Sequence, residues 1–241
     1  MKVSVIIPAH NEAAGIAVTI RRLEEALKLD YEIVVINDHS TDMTTQVVRG
    51  LFRDFSNIRM VDNTDQPGFA NALRAGFKAA TGEFIVPVMA DLCDEAATIT
   101  KMYEKINEGF DIVCGSRYMR GGGKIGGPKL KSFFSRFVGI SLYFLIGVPT
   151  HDIANSFKMY KKTVLNSIID NSKADGFALS VELSLLAYFA GYKISEVPTI
   201  WIDRKGGESK FSVLKQAKGY LRLYLWALGE NLIRCLLKKK K

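Results

Sequence analysis

Five short apolar runs alternate with segments of helical period through the first 115 residues, and that alternation admits few folds. Lys2-Val3-Ser4-Val5-Ile6-Ile7, Tyr31-Glu32-Ile33-Val34-Val35-Ile36, Ile58-Arg59-Met60-Val61, residues 84–89 and Asp111-Ile112-Val113-Cys114 each read as a strand. Between them, residues 13–29, a segment ending at Phe52, 68–80 and 95–107 read as helices. In the first, Ile16, Ile20, Leu23 and Leu27 recur at helical spacing; Ser40 or Thr41 is the expected N-cap of the second. The alternation predicts an α/β fold, a mostly parallel central sheet with helices on both faces.

After Gly115 the pattern changes. A glycine-rich loop over 121–127 ends at Pro128, and an apolar helix follows to about Gly147. Then come a turn and short strand over 152–160, helices from about Lys162 and Ser180, and a strand over 193–202. Residues 211–237 read as a long amphipathic helix, with Leu214, Ala217, Leu221, Leu225, Leu228 and Leu232 on one face and Lys215, Lys218 and Arg222 on another. The expected organisation is one domain over 1–210, a nucleotide-binding half to about 115 and an acceptor half from 116, followed by a basic helix and lysine tail over 211–241.

The run Phe84-Ile85-Val86-Pro87-Val88-Met89-Ala90-Asp91-Leu92-Cys93-Asp94 delivers two carboxylates at the end of an apolar strand. In an open α/β sheet ligands bind beyond the carboxyl ends of the strands, and carboxylates there need water, a partner or a cation. The usual phosphate loops are missing: no G-x-G-x-x-G follows the first strand and no G-x-x-x-x-G-K-[ST] occurs. Instead Asn11 and Glu12, Asp38, then Asp91 and Asp94 stand at successive strand ends. Such groups suit ribose hydroxyls, a base N–H and a hard cation that carries phosphates.

Val5-Ile6-Ile7-Pro8-Ala9-His10-Asn11-Glu12, Val34-Val35-Ile36-Asn37-Asp38-His39-Ser40-Thr41-Asp42 and Gly68-Phe69-Ala70-Asn71-Ala72-Leu73 together resemble the family-2 glycosyltransferases, inverting enzymes with a nucleotide-diphospho-sugar (GT-A type) domain. Gly115-Ser116-Arg117-Tyr118, residues 152–160, Glu196-Val197-Pro198 and 203–210 resemble the polyprenyl-phosphate branch, whose best-known member is dolichol-phosphate mannose synthase. The resemblance covers about residues 1–215. It implies transfer of a sugar from a GDP- or UDP-linked donor to a polyprenyl (dolichyl or undecaprenyl) phosphate, with Mg²⁺ or Mn²⁺.

By that resemblance Pro8, Asn11, Glu12 and Asp38 line the nucleotide cleft, while Asp91 with Asp94 holds the metal. The family's Asp-x-Asp is altered here, its first position being Met89. Arg117, Lys131, Arg136, Arg204, Ser209 and Lys210 are candidates for the departing diphosphate and the anionic acceptor, with Gly206 and Gly207 suited to a loop closing over phosphates. Asp152 is expected to position acceptor or sugar, and either it or Glu182 could face the acceptor. Catalytic roles therefore fall to Asp91, Asp152 and Arg117.

The net charge of +8, concentrated late in the chain, suggests an anionic partner. No aromatic and basic residues interleave as in a nucleic-acid motif, so nucleic acid is not expected. Tyr220, Tyr224 and Trp226 on the basic terminal helix favour an anionic membrane surface, and the apolar segment near Phe133, Phe134 and Phe137 could form a second interfacial helix. Met1 to Pro8 is too short for a signal peptide core. The longest apolar stretch, residues 137–149, falls short of the roughly 20 residues that span a bilayer. The expectation is peripheral attachment at the cytoplasmic side of a membrane, or anchoring through a membrane-protein partner. Cys93, Cys114 and Cys235 lack metal-ligand spacing and read as reduced thiols. Two other readings stand beside this one: a family-2 enzyme acting on a saccharide hydroxyl in surface polysaccharide synthesis, and a non-catalytic nucleotide-sugar-binding protein.

Overall fold

The computed structural model describes residues 2–91, 93–203 and 213–238. Its strands are β1 (Val3–Ala9), β2 (Tyr31–Asn37), β3 (Ile58–Asp62), β4 (Phe84–Pro87), β5 (Ile112–Ser116), β6 (Gly123–Ile125), β7 (Lys158–Lys161), β8 (Ile194–Pro198) and β9 (Ile200–Ile202). Its helices are α1 (Ile16–Ala26), α2 (Thr44–Leu51), α3 (Phe69–Ala79), α4 (Thr98–Asn107), α5 (Lys129–Ile146), α6 (Lys162–Ile168), α7 (Ala178–Phe189) and α8 (Val213–Lys238). The α/β class expected from the sequence is what forms.

Seven strands make one sheet in the order β3-β2-β1-β4-β7-β5-β8. β1 pairs in parallel with β2 and β4, β2 with β3, and β5 with β8. β7, which returns from the later half of the chain, lies antiparallel between β4 and β5. Side chains alternate across a strand, so Val3, Val5 and Ile7 join α1, α2 and α4 in one core layer. Ile6 faces the opposite layer with α3, α6 and α7. Ile6 is fully buried, and its truncation to Ala would cost about 2–5 kcal/mol.

Two polar anchors lie inside these layers. Glu32 accepts hydrogen bonds from Ser4 Oγ (2.5 Å), the Thr81 N–H (2.7 Å) and Arg59 Nε (3.0 Å). Lys158, fully buried on β7, donates from Nζ to the carbonyls of Ile153 and Ser180 and to Ser184 Oγ at 2.7–2.8 Å. Burial pushes its ammonium down to about 8. These three bonds satisfy all of its donors, tying β7 to α7.

A third core packs α5, α7 and α8 together through Leu142, Ile146, Val181, Leu185, Leu223 and Ala227. Gly139 lets α5 approach the chain after it: a Cβ there would meet the His151 carbonyl oxygen at 2.1 Å.

Several expectations need correction. α1 is shorter than 13–29, because Glu12 closes a turn on Gly15 and Leu27 is extended (ψ 127°). α2 starts at Thr44 rather than after Ser40 or Thr41; Asp42 Oδ1 accepts the Thr44 N–H at 2.9 Å. The strand expected over 193–202 breaks at Thr199, whose N–H turns to the Ser116 carbonyl at 3.1 Å. The freed segment, β9, pairs with β6 from within the glycine-rich loop.

The apolar stripe expected on α8 divides between packing and exposure, Leu228 packing while three of its leucines stay open. Tyr220, Leu223, Tyr224, Ala227 and Leu228 meet the body of the protein, whereas Leu221, Leu225 and Leu232 are exposed. No helix among the described residues is long and apolar enough to cross a membrane.

Candidate active site

Because β1, β2 and β4 are parallel, their carboxyl ends fall on one edge of the sheet. A cavity of about 1100 Å³ opens there, lined among others by Pro8, Glu12, Asp38, Asp91, Asp94 and Arg117. Its far wall is apolar, built by Phe134, Phe137 and Val138 of α5 with Leu221 and Tyr224 of α8.

On the β2 side Asp38 is nearly buried. Its Oδ2 accepts the Gly68 N–H at 2.9 Å and its Oδ1 accepts Asn63 Nδ2 at 2.8 Å, which aims the carboxylate across the start of α3. His10 Nδ1 lies 2.6 Å from the Asp38 carbonyl. Glu12 lines the cavity while its N–H donates to Thr44 Oγ1 at 2.8 Å.

Asn11 does not line the cavity. It sits in the left-handed region (φ 54°), which Asn tolerates, and its Oδ1 accepts the Thr41 N–H at 2.8 Å. Its part is to tie the loop after β1 to the loop after β2.

On the β4 side Met89, Asp91, Cys93 and Asp94 all line the cavity. Asp91 Oδ1 accepts the Cys93 N–H at 3.4 Å. Asp94 is buried, and among the described residues its Oδ1 has no hydrogen-bond partner. Burial pushes its carboxyl up to about 7, against the opposing pull of the Arg117 charge. A buried oxygen without a donor is costly, and a hard cation beside it would offset that cost. Among the described residues no cluster of three or more His, Cys, Asp or Glu side chains converges on a metal geometry. The two carboxylates would hold a divalent ion only with a diphosphate and water completing its oxygen shell.

Arg117 stands opposite. Its Nε donates to Asp152 Oδ2 at 2.6 Å, its Nη2 to Asp152 Oδ1 at 2.8 Å and to Ser135 Oγ at 3.1 Å. Burial works against its charge, but Asp152 outweighs that and raises its pKa. The expectation that Asp152 faces the acceptor is corrected here. It is fully buried, outside the cavity lining, and both its oxygens are engaged by Arg117. Glu182 is likewise withdrawn, its Oε2 accepting the Lys173 and Ala174 N–H groups at 2.8 and 2.7 Å.

Arg136 is exposed and does not line the cavity. Arg204, Ser209 and Lys210 lie outside the described residues, as does the side chain of Lys131.

Lys124, Ser132, Ser135 and Trp201, none of them a candidate from the sequence, also line the cavity. Ser132 and Ser135 are three apart, a spacing that puts them on one face of α5, and that was a usable signal. Lys124 gives no motif signal, because Ile125 rather than Ser or Thr follows it, as a P-loop would require.

The sequence profile of glycosyl transferase family 2 matches residues 4–169. The chain belongs to this family. As a family-2 glycosyltransferase it has the GT-A fold. It is similar to a dolichol-phosphate mannosyltransferase of Pyrococcus furiosus, 32% identical over 234 residues that cover 94% of this chain and 64% of the relative. It is also similar to a polyprenol monophosphomannose synthase of Mycolicibacterium smegmatis, 27% identical over 95% of this chain and 88% of the relative. Among solved structures, glucosyl-3-phosphoglycerate synthase of Mycobacterium tuberculosis, crystallised with Mn²⁺, UDP and glucosyl-3-phosphoglycerate, superposes with a TM-score of 0.70 at 19% identity. That likeness covers 95% of this chain and 80% of the neighbour, and it bears on the fold alone.

Proposed function

We propose that this glycosyltransferase moves a sugar from a nucleoside-diphosphate sugar to a polyprenyl phosphate at a membrane surface. One observation carries the reading: a single cavity joins carboxylates at the strand tips to an apolar wall formed by α5 and α8. The names of the two curated relatives support it.

In this reading Asp38, held by Gly68 and Asn63, meets the base or ribose, and Glu12 lines the same end. Asp91 and Asp94 would hold Mg²⁺ or Mn²⁺; when bound, the ion offsets the charge that grows on the departing diphosphate. Arg117, oriented by Asp152, presents a fixed guanidinium to phosphate oxygens. The acceptor is a phosphate monoester, already anionic near neutral pH, so no side chain need take a proton from it. Its oxygen attacks the anomeric carbon as the bond to the diphosphate breaks, a single displacement that inverts the centre. The exposed apolar groups of α8, with Lys218 and Arg222 exposed beside them, would lie in an anionic lipid interface.

A saccharide hydroxyl acceptor remains a second reading because Asp175, which lines the cavity, could serve as the base such a group needs. The deciding experiment offers labelled GDP-mannose, UDP-glucose or UDP-N-acetylglucosamine with Mn²⁺ and a short polyprenyl phosphate. Label extracted with the lipid is expected. Label appearing only on oligosaccharide acceptors would overturn the proposal in favour of the second reading.

A further inference from the structure

We infer that Lys124 receives the anionic head group of the acceptor and that Trp201 positions it; the inference rests on the polyprenyl-phosphate reading and assigns its charge-bearing contact. The charge balance of the cavity leads there. Arg117 brings no surplus charge, since Asp152 is wholly buried and takes two of its N–H groups. The remaining ionisable wall includes Glu12, Asp38, Asp91, Asp94, Asp175 and Asp203. Against these, Lys124 lines the cavity, and among the described residues it forms no ion pair. Among the described residues, a phosphate entering this space would meet a net acidic wall unless Lys124 or a bound cation faced it.

The lysine is held in place before any ligand arrives. Its Nζ donates to Ser132 Oγ and lies 4.7 Å from the centroid of the Trp201 ring. An ammonium over an indole face is attracted by the ring quadrupole, so little freedom is lost on binding. Lys124 and Trp201 are also register partners in the β6–β9 pair. Burial, with Arg117 nearby, pushes the Lys124 ammonium down, and an anion beside it would relieve that.

The same ribbon sets its distance from the carboxylates. Trp201 bridges to Asp94, and the Ile202 N–H donates to the Cys93 carbonyl at 2.8 Å. The carboxylate end and the cationic end of the cavity are therefore spaced by one short β-ladder.

Lys124 is on the acceptor side because of Ser132. That serine lies in the first turn of α5, followed along the helix by Phe134, Phe137 and Val138 on the apolar wall. A prenyl chain lying on this wall would bring its phosphate to the start of α5, where helix N–H groups also favour an anion. The donor's base end, at Asp38 and Gly68, belongs to the tips of β1 and β2 instead.

Equilibrium dialysis of tritiated farnesyl phosphate against the full chain tests this, with farnesol as the uncharged control. Lys124→Met is expected to weaken farnesyl phosphate at least about tenfold, the scale of a lost charge-assisted hydrogen bond. Farnesol binding and the thermal shift given by GDP or UDP should stay as in the parent, which also shows that the variant folds. Lys124→Arg should keep most of the affinity. Trp201→Leu should lose affinity and Trp201→Tyr restore it. Equal farnesyl phosphate affinity in parent and Lys124→Met overturns the inference alone, as does a loss confined to the nucleotide. A parent chain that binds farnesyl phosphate no better than farnesol overturns both the inference and the acceptor reading beneath it.

Discussion

Arg117 and Asp152 form a two-pronged ion pair, 35 residues apart in sequence, in which the carboxylate is fully buried and the guanidinium nearly so. Breaking such a pair strands a buried charge, at a cost of about 3–5 kcal/mol. Asp152→Ala should therefore lower unfolding free energy by that order in urea titrations and abolish transfer. The double change Arg117→Met with Asp152→Leu should recover much of the stability and none of the activity. A single Asp152→Ala that costs less than about 1 kcal/mol would show the pair to be solvated like a surface one.

The Asp94 oxygen that has no partner among the described residues separates a ligand-binding role from a packing role. Asp94→Asn should leave the metal-free chain as stable as the parent or more so, while Asp91→Ala and Asp94→Asn both reduce the extra thermal shift that Mn²⁺ gives in the presence of UDP or GDP. An undiminished Mn²⁺ increment in both variants would remove these residues from the metal site.

Glu32 ties part of the fold's stability to acid pH. Burial alone would raise this carboxyl, but hydrogen bonds from Ser4, Thr81 and Arg59 prevail and hold it at about 2, below its ordinary 4.5. The folded state thus binds this proton less tightly than the unfolded one. The stability it contributes is present above about pH 4.5 and is lost as the pH falls toward about 2. Urea midpoints over that range should fall steeply for the parent and less steeply for Glu32→Gln. Parallel slopes would mean that other carboxylates dominate.

The outer face of α8 carries Leu225 and Leu232, each about three-fifths exposed. Replacing both with Glu should abolish co-sedimentation with phosphatidylglycerol vesicles and leave the melting temperature unchanged. If the melting temperature drops instead, that face is covered by the protein itself or by another copy.

Much of this was legible beforehand, and the reasons differ by element. β1, β2 and β4 are legible because buried parallel strands are mostly apolar and acidic residues follow each of them closely. The β6–β9 ladder was not legible: three-residue strands among glycines carry no periodic signal, so Lys124 and Trp201 looked unrelated. Asp152 was recognised as important, but nothing local reveals that its partner is Arg117. On α8 the leucine spacing gave the helix correctly, yet Tyr220, Tyr224 and Ala227 form the packed side. Periodicity reports that a face is apolar, and not what covers it.

The seat of β7 between β4 and β5 has a consequence for how the molecule can be divided. A fragment stopping at Ser116 would contain β4 and β5 but not the strand whose hydrogen bonds join them. Neither portion of the gene is a transplantable cassette. Acceptor preference in a chimaera would have to be exchanged through α5, β6 and β9, with β7 kept in the recipient.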